Sequence, residues 1–123
     1  VGDNVLRVVG DALRACLRRE DHAGRYGGDE FFVILPGSDI EAGLAIAGRI
    51  NAAVESADVD VGGARVSVTA SIGVAPWLAG DTVAGWVGRA DAAMYRAKQL
   101  GRNRVEAEPG VGATVERGRG DGA

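Results

Sequence analysis

The sequence predicts an α+β fold in which a mostly antiparallel sheet is flanked by helices. Three observations support it. Apolar residues recur at three- and four-residue spacing in three segments, two strand-like runs flank a Gly-Gly turn, and a longer run alternates between apolar and smaller or polar residues. The predicted order is helix, strand, strand, helix, strand, helix, strand. Only a leading strand is lacking for a split βαβ arrangement with added elements.

A helix and a hairpin open the chain. Asp3 stands where the helix N-cap is expected. The helix follows from seven apolar residues on one helical face: Val5, Val8, Val9, Ala12, Leu13, Cys16 and Leu17. Two short strands then flank Gly27 and Gly28, which predicts a hairpin with a tight turn.

The second helix is predicted from the capping-box spacing of Ser38 and Glu41. Its apolar face is formed by five residues: Ile40, Leu44, Ala47, Ile50 and Val54. After a turn at Gly62 and Gly63, alternation from Val66 to Val74 predicts one long, half-buried strand.

A third helix and a last short strand complete the prediction. Asp81 or Thr82 caps the helix, and Gly101 ends it at the C′ position. The apolar face comprises Val83, Trp86, Val87, Ala90, Met94 and Ala97. Arg104 to Glu106 then form the final strand.

The composition is that of a single globular domain. The chain has 123 residues, 46% of them hydrophobic and 25% charged. We expect the domain to span residues 1–107 and residues 108–123 to be a disordered tail or linker, because apolar side chains are scarce there. The net charge of −3 argues against a nucleic-acid partner. No apolar run is long enough for a membrane span, so we expect no membrane contact and a cytoplasmic location.

The Gly-Gly turn is the first candidate site. Neither Gly27 nor Gly28 presents a Cβ, so a ligand can approach the backbone closely. Asp29 and Glu30 follow directly. Successive strand residues point to opposite faces, so both carboxylates meet one metal ion only if the turn twists them. On this segment alone, an ordinary hairpin with two solvated acids is the better interpretation.

The wider sequence resembles the GGDEF family, the domain of diguanylate cyclases. The resemblance covers residues 1–107 in the family's order and spacing. The matching segments are Val1 to Leu6, Arg18 to Asp21, Arg25 to Phe31, Thr69 to Val74, Ala90 to Lys98 and Gly101 to Val105.

This resemblance implies a ferredoxin-like or polymerase-palm-like fold and a reaction. Two GTP are condensed into cyclic di-GMP with release of pyrophosphate, in a homodimer that uses Mg²⁺ or Mn²⁺. By the match, Asp29 is the metal ligand and aids deprotonation of the 3′-hydroxyl. Glu30 belongs to the same catalytic signature, and Gly27 and Gly28 let the nucleotide lie against the turn.

The resemblance assigns three more residues to GTP. Asp3 matches the position that recognises guanine, whose N1 and N2 donors a carboxylate can accept. Lys98 and Arg102 match the positions that bind the terminal phosphates, and they lie about one helical turn apart at a helix end. Without the resemblance, an N-cap and two solvated surface cations are the plainer interpretations.

A second candidate site lies five residues before the Gly-Gly turn. Arg18 and Asp21 match the family's RxxD motif, at which cyclic di-GMP inhibits its own synthesis. Arg18 can stack on a guanine or bind a phosphate, and Asp21 can accept from the base. Arg49 matches a secondary inhibitory arginine. A surface salt bridge between Arg18 and Asp21 is the alternative.

The resemblance also implies a first strand with a second metal-binding aspartate, to which this chain has no match. We therefore expect an N-terminally truncated domain that cannot turn over GTP by itself, within a full-length protein that can. The alternative function is a non-catalytic GGDEF domain that acts as a cyclic di-GMP receptor or a GTP sensor.

Overall fold

The computed structural model describes residues 3–108, so the predicted tail lies outside the described residues apart from Glu108. Within this range the elements are α1 (Asp3–Ala15), β1 (His22–Gly27), β2 (Glu30–Ile34), α2 (Ile40–Ser56), β3 (Val59–Val61), β4 (Ala64–Val66), β5 (Ser71–Val74), α3 (Val83–Gln99) and β6 (Arg104–Ala107). The pairs β1–β2 and β3–β4 are antiparallel, whereas β5–β6 is parallel. The predicted α+β fold with mostly antiparallel pairing is confirmed.

The core lies between α1 and α2. Leu13 of α1 is buried with Ile50 and Val54 of α2, as the apolar spacing predicted, and with Ile46, which the predicted face did not include. The hairpin and the β5 segment cover this cluster with partly buried side chains, among them Phe31, Val33, Leu35, Val68, Ala70 and Ile72. Complete burial of one such side chain contributes about 1.5–3 kcal/mol. Since Phe31 comes two residues after Asp29, the core anchors the hairpin close to its turn.

The predicted long strand from Val66 to Val74 is wrong. It is divided into β4, which ends at Val66, and β5, which begins at Ser71. The two parts have different partners: β4 folds back on β3, and β5 pairs with β6. The predicted turn at Gly62 and Gly63 is confirmed, because both have positive φ, of 58° and 85°, as a two-residue hairpin loop requires.

The start of α2 also differs from the prediction. The N-cap is Asp39, whose Oδ1 accepts a hydrogen bond from the Ala42 amide at 2.8 Å. Ser38 therefore does not cap the helix, and its hydroxyl instead accepts from Arg18 at 3.0 Å. Ser38 and Asp39 can both accept hydrogen bonds from the unpaired amides of the first helical turn. The sequence pattern alone therefore does not decide which of them is the N-cap.

Helix α3 lies directly on β5. Thr82 caps it, since its Oγ1 accepts from the Gly85 amide at 3.0 Å. Ala93 and Ala97 are fully buried. A Cβ on Gly73 of β5 would overlap the Ala90 carbonyl oxygen, so this glycine permits the close approach. No helix within residues 3–108 combines the length and the apolar character needed to cross a bilayer.

Candidate functional site

The β1–β2 hairpin turns at Gly28 and Asp29. Gly27 pairs with Glu30 as the last residue pair of the ladder, and the register shifts between Arg25 and Gly27. Gly28 has φ of 51°, in the left-handed region that favours glycine. Apart from the adjoining residues of the chain, no described atom lies within 4 Å of a Cβ placed on Gly27 or Gly28, so the turn is open to a ligand.

Arg25 braces this turn. Its Nη2 donates to the carbonyl oxygen of Gly28 at 2.5 Å, which closes a ring across the hairpin tip. Arg25 thereby holds the backbone that presents Asp29.

The two carboxylates of the hairpin occupy different positions. Asp29 lies in the turn itself and is exposed, whereas Glu30 is the first residue of β2 and is half-buried. Neither carboxylate has a hydrogen-bond or ion-pair partner among residues 3–108. Because Asp29 lies outside the strand, strand alternation does not force the two apart. Both are available to a cation or a polar ligand.

A cavity of about 310 Å³ lies between α1 and the hairpin. It combines apolar walls with three guanidinium groups, and its lining comprises Leu6, Arg7, Gly10, Leu13, Arg14, Ala23, Gly24, Arg25 and Phe31. We did not predict this cavity from the sequence. The only sequence signal for this cavity is that Arg7 and Arg14 are seven residues apart and so lie on one helical face. Such spacing is ordinary on an exposed helix and does not indicate a cavity.

Lys98 and Arg102 lie where α3 ends. The Arg102 amide donates to the Ala97 carbonyl at 2.9 Å and the Gly101 amide to that of Lys98 at 3.5 Å, which is a Schellman motif with Gly101 at C′, as predicted. Arg102 itself has φ of 61°, a conformation that non-glycine residues rarely adopt. Neither side chain has a polar partner among the described residues, so no hydrogen bond in that range joins them to the hairpin turn.

Arg18 and Asp21 form a bonded pair before β1. Arg18 Nη2 donates to Asp21 Oδ1 at 2.7 Å, and its Nε lies 3.1 and 3.2 Å from the two carboxylate oxygens. The Asp21 side chain is fully covered, while that of Arg18 is 40% exposed. The hydrogen bonds from Arg18 lower the pKa of Asp21, and the same pairing raises that of Arg18.

The remaining predicted residues stand apart from this pair. Arg49 is exposed on α2, and within residues 3–108 no hydrogen bond or ion pair links it to Arg18 or Asp21. Asp3 is the first residue of α1, but its side chain lies outside the part of the chain that the structure describes.

The lowered pKa of Asp21 predicts an acid-dependent stability difference. A carboxyl whose pKa is lower in the folded state stabilises the fold above its unfolded pKa, and this contribution is lost as pH falls through the folded value. We expect Asp21→Asn to be less stable than the wild type at pH 7, with the difference shrinking as the pH falls below about 4, the ordinary pKa of an aspartate. Urea unfolding midpoints at several pH values test this, and a stability difference that does not change with pH would contradict it.

Comparison with known proteins gives one consistent match. A family model described as "Diguanylate cyclase, GGDEF domain" matches residues 1–104. Diguanylate cyclase A of Treponema denticola is 42% identical over 105 residues, and diguanylate cyclase DgcP of Pseudomonas aeruginosa is 38% identical over 105 residues. Both alignments cover 85% of this chain but only 28% and 16% of those proteins.

Solved structures agree with the sequence comparison. The GGDEF domain of DgcB from Caulobacter crescentus in complex with c-di-GMP superposes with a TM-score of 0.81 and 31% identity, covering 86% of this chain and 64% of that one. The diguanylate cyclase SiaD of Pseudomonas aeruginosa, in complex with its activator SiaC, gives a TM-score of 0.82 and 37% identity over 85% of this chain and 40% of that one. These similarities confirm the fold expected from the motifs.

Proposed function

The chain belongs to the GGDEF family, and on that premise we propose that the protein carrying it is a diguanylate cyclase. It condenses two GTP into cyclic di-GMP and releases pyrophosphate. One observation carries this proposal: an open glycine turn presents the carboxylates of Asp29 and Glu30, which have no partner among residues 3–108, at the tip of a hairpin whose Arg25 and Phe31 line a cavity of about 310 Å³.

The cavity suits a nucleotide. Ligand pockets in proteins usually begin near 300 Å³ and combine apolar walls with a few polar groups. Leu6, Leu13 and Phe31 offer apolar surface to a base, while Arg7 and Arg14 offer positive charge to phosphates. Helix α1, which forms one wall, begins at Asp3, so the proposed guanine-recognising carboxylate belongs to the same helix.

Asp29 and Glu30 fit a divalent cation in part. Carboxylate oxygens are the donors that Mg²⁺ and Mn²⁺ prefer, and neither side chain is engaged by another residue of the described range 3–108. Within residues 3–108 no three His, Cys, Asp or Glu side chains are grouped as metal ligands, so these two residues supply only part of a coordination shell. A bound Mg²⁺ or Mn²⁺ neutralises phosphate charge and eases deprotonation of the 3′-hydroxyl.

Lys98 and Arg102 are proposed to bind the terminal phosphates. Their charges at the end of α3 have no partner among residues 3–108 and are available to an anion, and guanidinium and ammonium groups both form strong hydrogen bonds with phosphate oxygens. The left-handed backbone of Arg102 costs about 1 kcal/mol, and such strain is typically retained at functional positions.

Because of this strain, we expect Arg102→Gly to lower the affinity for GTP with little change in the free energy of unfolding. Glycine relieves the positive φ but adds unfolded-state entropy, so the free energy of unfolding should change by less than about 1 kcal/mol. GTP affinity should fall roughly tenfold or more, because a charge-assisted contact is lost. Calorimetry and urea unfolding of the same variant test this, with Arg65→Ala, an exposed arginine paired with Asp58, as the control. Unchanged GTP affinity would contradict the assignment.

Catalysis is proposed to require a homodimer. One hairpin site binds one GTP, and the reaction joins two, so two domains must face each other with each 3′-hydroxyl aligned on the other's α-phosphorus. Cyclic di-GMP is proposed to inhibit this reaction at Arg18 and Asp21, with Arg49 as a secondary contact. The proximity of the two side chains and the 40% exposure of Arg18 support this second site.

That same pair favours one alternative, in which the domain is a cyclic di-GMP receptor without catalysis. Calorimetry with GTP, ATP and cyclic di-GMP, together with a turnover assay, distinguishes the two functions. A cyclase binds GTP in preference to ATP, converts it, and binds its product through Arg18. A receptor binds cyclic di-GMP through Arg18 but leaves GTP unconverted.

A further inference from the structure

Arg18 bonds to two loops that flank the hairpin. One is its own loop, through Asp21, which directly precedes β1. The other is the connection after β2, where Arg18 Nη2 donates to the Pro36 carbonyl at 3.1 Å and to Ser38 Oγ at 3.0 Å. Sequence reasoning assigned no role to either Pro36 or Ser38 at this site.

Arg18 Nη2 has more hydrogen-bond acceptors around it than it has protons to donate. This nitrogen carries two protons, but three acceptors lie within hydrogen-bond distance of it: Asp21 Oδ1, the Pro36 carbonyl and Ser38 Oγ. One acceptor is therefore in surplus while Asp21 is paired with Arg18. Without Ser38 the two protons would still have two acceptors, so the ligand-free state, in which Arg18 is paired with Asp21, does not need the serine.

Ligand binding removes the surplus of acceptors around Arg18 Nη2. The Asp21 side chain is fully covered and bonded to Arg18, so a base donor can reach its carboxylate only after that pairing loosens. Once Asp21 turns to the ligand, Nη2 keeps two acceptors if Ser38 is present and only one if it is absent. An unpaired donor on a charged group is unfavourable.

We propose that Ser38 is a positioning residue for product binding, which holds Arg18 in place when Asp21 is released to accept from cyclic di-GMP. This inference rests on the proposed inhibitory site. The opposite side of the guanidinium is available to the ligand, because Nη1 donates no hydrogen bond among residues 3–108 and has only an exposed ion pair with the Glu20 carboxylate, at 3.6 Å. Arg18 can then bind a guanine acceptor edge or a phosphate from a fixed position.

The test is the affinity of the full-length protein for cyclic di-GMP, measured by calorimetry. Ser38→Ala should weaken binding about threefold to tenfold, while Ser38→Thr, which keeps the hydroxyl, should restore it. GTP affinity should not change. The unfolding midpoint should also stay near that of the wild type, because in the ligand-free state Arg18 Nη2 has one more acceptor than it has protons. Ser67→Ala, which removes an exposed hydroxyl without a recorded hydrogen bond, should bind as the wild type does.

Arg18→Ala separates the possible failures. If Arg18→Ala abolishes cyclic di-GMP binding and Ser38→Ala binds normally, the role of Ser38 is refuted while the inhibitory site stands. If Ser38→Ala lowers the unfolding midpoint but leaves cyclic di-GMP affinity unchanged, the serine is only structural and the inference fails. If the wild type does not bind cyclic di-GMP, the inhibitory site and the inference both fail.

Discussion

Asparagine in place of Asp29 is expected to lower the rate of cyclic di-GMP formation by roughly a hundredfold or more. Asp29 lies exposed in the hairpin turn, and its carboxylate has no partner among residues 3–108 to which the effect could otherwise be attributed. Asparagine has nearly the same shape and tolerates the turn, but its neutral amide binds a divalent cation far less well. Initial rates with GTP and Mg²⁺, compared between variant and wild type, give the measurement.

The matched control for this variant is Asp11→Asn. Asp11 is also an exposed aspartate without a recorded partner, but it lies on α1 and outside the residues that line the cavity. The Asp11→Asn substitution removes the same charge as Asp29→Asn and should leave the rate of cyclic di-GMP formation unchanged. Equal losses in the two variants would show that net charge matters and not the carboxylate of Asp29.

Alanine in place of Gly73 is expected to destabilise the fold by about 3 kcal/mol or more. The added Cβ would overlap the Ala90 carbonyl oxygen and the Met94 amide nitrogen and come within 2.9 Å of the Ala93 carbonyl carbon. These are backbone atoms of α3, so no side-chain rotation relieves the overlap, and β5 and α3 must separate. Urea unfolding followed by circular dichroism measures the change.

Gly48→Ala is the counterpart on α2. Its Cβ would meet no described atom within 4 Å, and alanine in an exposed helical position stabilises by about 0.5–1 kcal/mol relative to glycine. The two variants add the same methyl group and should shift the unfolding midpoint in opposite directions. A Gly73→Ala midpoint at or above that of the wild type would refute the close packing of β5 on α3.

Periodicity and turn chemistry identified most of the fold. The three helices follow from apolar residues on one face, and the hairpin follows from two strand-like runs around Gly27 and Gly28. The break after Val66 was not predictable in this way, because alternation describes which face a residue occupies and not which strand it pairs with. That choice depends on β3 and β6, which lie on either side in sequence.

The candidate site was predictable only where a short motif carries it. Arg18, Asp21 and Asp29 are assigned through the resemblance of their short motifs to the GGDEF family, and their roles stay predictions. The cavity and the contact between Arg18 and Ser38 could not be predicted, because they join residues far apart in the chain: Arg18 and Ser38 are 20 residues apart. Such contacts are set by packing around the core, for which single-residue patterns give no signal.

The most direct test of the proposed function is to identify the products that the full-length protein forms from GTP and Mg²⁺, separated by chromatography. A diguanylate cyclase yields cyclic di-GMP and two pyrophosphates for every two GTP consumed, and Asp29→Asn forms both at least about a hundredfold more slowly. GTP that is bound but never converted, or cyclic di-GMP formed equally well by Asp29→Asn, would contradict the assignment of this hairpin as a catalytic site.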